Sequence, residues 1–292
     1  MKILIFTNIN AAQQFAELSQ IITEIELRSY TYAINREVAE LVGQMLPEGL
    51  DESMIYGDDV GDQPEDTMMI CYGGDGTMLS GLHRLGGRAI AVAGINSGRM
   101  GFLTTASKCR IAELFDAIEG GDITVERRSM IAARGEFSSG EWLYGVNEVA
   151  VHRHGASMIE VRCSVDQEPV ATYHGDGVVV ATPTGSTAYS LSAGGPVVAP
   201  GCACWLITPL APHNITMRPL AIPDSSKIEL NVEIRIGDAA ITLDDRTYII
   251  DHGMRVELQR AERSFYLVRP AKQSFYSTLR DKMMWGVDLR TK

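Results

Sequence analysis

At 292 residues, 45% hydrophobic and 22% charged, the chain has the composition of a globular protein with apolar mass for two cored domains. Its formal charge of −11 excludes a broad nucleic-acid face, which wants basic surface. Local capture of an anion by loop N–H groups, a few arginines and a divalent cation stays open.

In chain order, KILIF predicts a buried first strand, too short an apolar run for a signal peptide. Ala11 to Ile22 and Tyr30 to Leu46 carry apolar residues at helical spacing. TMMICY (Thr67 to Tyr72) and AIAVAGI (Ala89 to Ile95) predict two further buried strands. Helices are expected over Gly76 to Leu85 between them and over Ile111 to Ile118 after them. Strands alternating with helices predict a parallel sheet covered on both faces, an α/β domain over residues 1–122. From 123 to 270 the pattern changes to period two: EWLYGVNEVAVHR, MIEVRCSVD, VVVATP, KIELNVEIRI, AAITLDD and RVELQR, parted by turn residues. That predicts an all-β, antiparallel, sandwich-like domain. The last segment, 271–292, is helical through QSFYSTLRDKMMWG and is placed to return to the first domain. No stretch is long and apolar enough to span a bilayer.

The five cysteines, Cys71, Cys109, Cys163, Cys202 and Cys204, are odd in number and irregular in spacing. Cys202-x-Cys204 is neither a redox C-x-x-C nor half of a zinc site. They read as mostly buried thiols in a reducing compartment, so the expected location is cytoplasmic.

Chemistry concentrates in four stretches. YGGDGTMLS, Tyr72 to Ser80, follows a predicted strand and opens a predicted helix, where ligands bind in open α/β sheets. Gly73, Gly74 and Gly76, with Thr77, let backbone N–H groups approach a phosphate. An acid in such a cradle would repel phosphate, so Asp75 needs a separate role, either taking a proton or holding a metal. The stretch is neither a Walker A loop nor a G-x-G-x-x-G fingerprint. The plain alternative is a tight turn with Asp75 as helix cap. The second stretch, YHGDGVVVATPTGSTAYSLSAGGP, holds another Gly-Asp-Gly around Asp176 and a dense set of hydroxyls with Tyr189 among them. That mixture suits a nucleoside, which offers sugar hydroxyls and a ring to stack on. In the third, VNEVAVHRHG, Asn147 and Glu148 reach one ligand only at a strand end or bulge. His152 and His154 have metal spacing without a third ligand nearby. In the fourth, AGINSGRMGFLTT, Arg99 can meet phosphate, or the segment is a turn before Phe102 and Leu103 anchor the core.

GGDGT, GINSGRMGFLT, NEV, GDGVVVATPTGSTAYSLSAGGP and TPLAPHNITMRPL, in this order from Tyr72 to Leu220, resemble the blocks of the NAD kinase family. The resemblance implies phosphoryl transfer from ATP, with Mg²⁺ or another divalent cation, to the 2′-hydroxyl of the adenosine ribose of NAD. It implies an α/β domain, a β domain, a site between them and a homo-oligomer, dimer or tetramer. It makes Asp75 the catalytic acid residue and sets Gly76 beside the substrate. Asn147, Glu148, Asp176 and Thr187, Ala188, Tyr189, Ser190, Leu191 and Ser192 become dinucleotide contacts, joined by Ala211. Two positions depart from the pattern. His174 stands where many relatives carry arginine, and Arg246 stands where they carry a small polar residue; Arg246 is expected to return the lost charge from the other side. Protein metal ligands, nucleic acid and membrane are not expected. Two rival readings remain: a lipid or sugar-phosphate kinase of the same superfamily, and a non-catalytic dinucleotide sensor that would have no need of Asp75.

Overall fold

A computed structural model describes residues 1–8, 15–44, 49–98 and 101–286. The chain forms two compact units, Met1–Arg127 with Phe265–Lys292, and Arg128–Ser264.

The first unit runs β1 (Lys2–Thr7), α1 (Phe15–Leu27), β2 (Thr31–Asn35), α2 (Arg36–Gly43), β3 (Ile55–Tyr56), β4 (Thr67–Gly73), α3 (Asp75–Arg84), β5 (Ala91–Asn96), β6 (Ala106–Ser107) and α4 (Ile111–Gly120). Strands β5-β4-β1-β2-β3 lie side by side, all parallel. Every residue of β4 is buried, as a central strand covered on both faces requires. Ile3, Ile5, Ile34, Ile70 and Ile95 form one core with α1, α2 and α4. On the other face Gly81 of α3 abuts Phe6, Met69 and Cys71.

One expectation is corrected. Tyr30 to Leu46 is not one helix: Thr31–Asn35 is a strand registered on β1 from Lys2↔Thr31 to Ile5↔Ile34, and the helix begins at Arg36. A strand buried on both faces is apolar throughout, so its residues also satisfy a helical spacing. The expected helix start at Ala11 and end at Leu46 lie outside the described residues.

β7 (Ile123–Arg134) leads into the second unit. There follow β8 (Leu143–Gly145), β9 (Glu148–Arg153), β10 (Ile159–Val165), β11 (Glu168–Gly175), β12 (Gly177–Ala181), α5 (Tyr189–Ser192), β13 (Cys204–Leu210), β14 (Leu220–Pro223), β15 (Ile228–Glu233), β16 (Ala239–Leu243), β17 (Arg246–Ile250) and β18 (Met254–Pro270). One antiparallel sheet has the order β14-β13-β12-β9-β16-β17. Facing it, β11-β10-β15 continues onto the first part of β18. Val149, Val151, Val178 and Val180 of the first pack with Val161, Leu230, Val232 and Val256 of the second, which makes a sandwich. The end of β18 belongs to the first unit, where Tyr266 and Leu267 pair parallel with β5. The last element of that unit is α6 (Phe275–Met283), opened by a Ser274–Ser277 capping box.

Candidate active site

In the first unit β4 ends at Gly73 and α3 starts at Asp75, with Gly74 at the cap position and no side-chain cap bond. Asp75 therefore does not cap its own helix. Its carboxylate reaches the segment that follows β5: Oδ2 accepts from the Phe102 N–H at 2.8 Å, and Oδ1 accepts from Leu103 at 3.1 Å and Thr104 at 3.2 Å. The two segments meet because β4 and β5 are parallel neighbours, with Gly73 opposite Asn96, and so end on the same edge. Only glycine fits at 101, since a Cβ there would overlap the Asp75 carboxylate. The segment is braced from below: Asn96 Nδ2 donates to Thr104 Oγ1 at 3.1 Å, and the Gly101 N–H donates to the same oxygen at 2.7 Å.

A carboxylate offers about four acceptor positions. Among the described residues three are filled, all by main chain, and the open one is on Oδ2, the oxygen 3.9 Å from the Lys282 ammonium. Gly74 and Gly76 are exposed and face open space, while Gly73 is buried and Thr77 half-buried. Arg99 lies outside the described residues. Sequence reasoning missed the roles of Phe102, Leu103 and Thr104, because a backbone N–H leaves no mark in residue type.

In the second unit Glu148 opens β9 and is 8% exposed. The Asp244 carboxylate accepts from three consecutive N–H groups, Val146 at 2.7 Å, Asn147 at 2.8 Å and Glu148 at 3.2 Å. Burial, and then the Asp244 charge, push the Glu148 carboxyl up to about 8 against an opposing bond from the Tyr189 N–H. Glu148 thus holds its proton near neutral pH far more readily than an ordinary carboxyl, and its Oε2 has no hydrogen-bond partner among the described residues. Asp244 carried no role in the sequence reading; nothing in LDDRTY marks it.

The hydroxyl-rich stretch divides into two sets. Thr182 donates to the Val146 carbonyl at 2.7 Å, Ser186 to the Val198 carbonyl at 3.2 Å, and Ser190 pairs with Thr208 at 3.0 Å. These hydroxyls are spent on the fold. Gly185 lies so close to Asn147 that a Cβ would overlap its carbonyl, which pins the turn before α5 to the start of β9. Turned outward are Tyr189, 40% exposed, and Ser192; Thr187, Ala188 and Leu191 are half-buried. The Tyr189 phenol is raised by burial and by the charges of Asp176 and Glu148, so it stands within electrostatic reach of both acids.

Asp176 is held by Arg153, whose Nε donates to Oδ1 at 2.6 Å and Nη2 to Oδ2 at 3.4 Å. Arg153 was hidden in the sequence between two histidines. His174 is exposed, with Nδ1 3.6 Å from Glu160 Oε2. Arg246 donates from Nη2 to the Tyr144 carbonyl at 2.6 Å, and its strand pairs at Leu243, which in turn faces Val149 near the Glu148 end of β9. The fixed charge beside Asp176 is therefore that of Arg153, at the other end of β9, and not that of Arg246. Ala211 takes a left-handed φ of 40°, with its carbonyl against Gly175. His152 Nδ1 contacts the Arg153 carbonyl oxygen at 3.1 Å. Among the described residues no three His, Cys, Asp or Glu side chains cluster as metal ligands, and no helix is long and apolar enough to cross a membrane.

The family model for the ATP-NAD kinase N-terminal domain matches residues 63–123, and that for the ATP-NAD kinase C-terminal domain matches 146–270. The chain is 37% identical to the NAD kinase of Porphyromonas gingivalis over 99% of both chains. It is 34% identical to that of Bacteroides fragilis over 99% of this chain and all of the relative. An NAD kinase from Archaeoglobus fulgidus solved in complex with ATP superposes with a TM-score of 0.74 at 26% identity, covering 97% of this chain and 99% of the other. Yeast NADH kinase complexed with NADH shares the fold, with a TM-score of 0.88 at 22% identity over all of this chain and 90% of the other.

Proposed function

The chain belongs to the NAD kinase family and is a kinase of NAD; we propose that Asp75 is the base through which it moves the terminal phosphoryl group of ATP to the 2′-hydroxyl of the adenosine ribose. One observation carries the assignment: the Asp75 carboxylate is aimed by three backbone N–H groups and, among the described residues, keeps one acceptor position, on Oδ2. A ribose hydroxyl that donates there gives up its proton as its oxygen bonds to phosphorus. The bond from phosphorus to the ADP oxygen breaks, and ADP leaves with the electron pair. The acid so formed at Asp75 returns its proton to solvent. Loop N–H groups of Gly74 and Gly76, unshielded by side chains, fit the donor phosphates.

Dinucleotide binding falls to the second unit. Tyr189 offers a ring face, Asp176 an oriented carboxylate, and Glu148 a protonated carboxyl that can donate as well as accept. Asn147, Thr187, Ala188, Leu191, Ser192, Ala211, His174 and Arg246 complete the proposed contacts, with Ser190 contributing main chain. A divalent cation enters with ATP as part of the substrate. The described residues do not fit a resident metal, because no three ligand side chains cluster and three N–H groups already occupy Asp75. The five cysteines are free, though only Cys71 and Cys163 are buried where most were expected to be, and free thiols fit a reducing, cytoplasmic setting. A homo-oligomer, dimer or tetramer, is the assembly the family resemblance favours, and light scattering on the purified chain measures it.

The test is a coupled assay of NAD, ATP and Mg²⁺ with an NADP-specific dehydrogenase, run with Asp75→Asn alongside. Wild type forms NADP, and the variant loses about 10²–10⁴-fold in kcat. Equal rates would remove Asp75 from the chemistry.

A further inference from the structure

We propose that Lys282, on the C-terminal helix, is a phosphate-contacting residue whose ammonium donates to an oxygen of the transferring phosphoryl group; this rests on Asp75 being the base.

Helix α6 docks on the segment that aims Asp75. Phe275, its first residue, packs on Phe102 with ring centroids 6.1 Å apart. Lys282, two helical turns on and on the same face, lays its ammonium over the same ring at 4.5 Å from the centroid. Thr278 and Leu279 are buried between them. Phe102 thus serves twice: its N–H donates to Asp75 Oδ2, and its ring carries the cation beside that same oxygen. The position is in the last turn of the helix, where a positive charge is favoured by the macrodipole.

The ammonium is anchored, but its donors are not used. At 3.9 Å from Oδ2 it is within ion-pair range and beyond hydrogen-bond range. Among the described residues it makes no hydrogen bond, and its side chain is 39% exposed against 31% for Asp75. All three N–H donors therefore remain for a ligand with oxygen acceptors.

Phosphoryl transfer asks for positive charge around the moving group. The GGDGT loop contains no basic residue. Among the described residues Lys282 is the cationic side chain within ion-pair distance of Asp75. The open acceptor position of Asp75 and the ammonium share Oδ2, so a hydroxyl on that oxygen brings the phosphorus it attacks next to Lys282. The lysine transfers no proton; it donates hydrogen bonds to a phosphoryl oxygen while the bonds to phosphorus exchange.

The experiment uses the full chain with NAD, ATP and Mg²⁺. Lys282→Met is compared with Lys282→Arg and with Lys282→Cys before and after S-aminoethylation, which rebuilds an ammonium at nearly the same reach. Aminoethylated wild type controls for the exposed Cys109 and Cys202. The expected result is a kcat loss of about 100-fold in Lys282→Met with KM for NAD within about threefold. Arginine or the rebuilt ammonium should recover about tenfold or more. A Lys282→Met rate within about threefold of wild type makes the contact an ordinary surface ion pair and overturns the proposal. A loss that neither replacement recovers assigns Lys282 to packing and overturns it as well. Asp75→Asn, run in parallel, separates the two readings. An active Asp75→Asn removes the base assignment, whereas an inactive one beside a normal Lys282→Met removes only the role of Lys282.

Discussion

Asp75 and Asp176 occupy the same tripeptide, Gly-Asp-Gly, yet the carboxylate that resembles Asp75 physically is Asp244. Asp75 accepts from the N–H groups of 102–104, and Asp244 from those of 146–148. Asp176 instead leans on one side chain, Arg153. The difference lies in what stands beside each acid. Asp75 adjoins a bare glycine loop and keeps an acceptor position toward it. Asp244 adjoins Glu148, whose ionisation is suppressed first by burial and then by the Asp244 charge. A backbone clamp can therefore aim a base in one region and, in another, fix a charge that adds to burial in keeping a neighbouring acid protonated. Asp176, tied to the side chain of a half-buried arginine, is the adaptable member of the three.

The largest effect should come from the acid that is kept neutral. The Glu148 carboxyl stands at about 8 in the folded chain against 4.5 in the reference state. Between those values the unfolded chain has lost the proton and the folded chain retains it, so stability falls as pH rises through this window. Glu148→Gln removes that slope. The variant should gain on the order of 4 kcal/mol over wild type at pH 8, with the gain vanishing near pH 4.5. Denaturant unfolding across that range measures it, and a difference flat with pH would mean that Glu148 ionises in the folded chain as an ordinary carboxyl does.

Next is Gly101→Ala, which drives a methyl group into the Asp75 carboxylate. A displacement of about 1 Å at a reacting group costs about 100-fold in kcat. Steady-state kinetics should show that loss with KM for NAD little changed. A wild-type rate would mean that the clamp of 102–104 does not aim the base.

Smaller again is Arg153→Gln. Both partners of this pair are half-buried to exposed, so stability should change by less than about 1 kcal/mol. NAD affinity, by calorimetry, should fall about tenfold as Asp176 loses its orientation. The smallest effect is expected from Arg246→Gln, within about threefold on the same measurement, because its guanidinium donates to the neutral Tyr144 carbonyl and orients no dinucleotide-binding carboxylate as Arg153 does. A larger loss for Arg246→Gln than for Arg153→Gln would reverse the assignment of the charge beside Asp176.

Much of this architecture was legible from residue patterns. TMMICY and AIAVAGI are strands because continuous apolar runs between turn residues suit a sheet covered on both faces. TYAIN was not recognised, since the same apolar density also fits a helix, and only pairing with β1 decides between them. The hydroxyl-rich stretch pointed to the right segment without sorting it: Ser190 faces Thr208 inside, while Tyr189 one residue earlier faces out. Arg153 and Asp244 carried no signal, because an arginine in a strand and an aspartate in a turn are ordinary residues until their partners are known.

The sequence by itself determined the two-part organisation, the glycine loop at the end of a buried strand, and the family whose blocks run from Tyr72 to Leu220. Those features are local: turn chemistry, hydrophobic period and motif spacing act over a few residues. Tertiary structure alone decided which donors hold each acid. Asp75 is bound 27 to 29 residues away, Asp244 is bound 96 to 98 residues away, and the ammonium 3.9 Å from Asp75 comes from position 282. Hydrogen bonds and charges act through distance in space, and parallel strands bring distant segments to one edge without leaving a pattern in either.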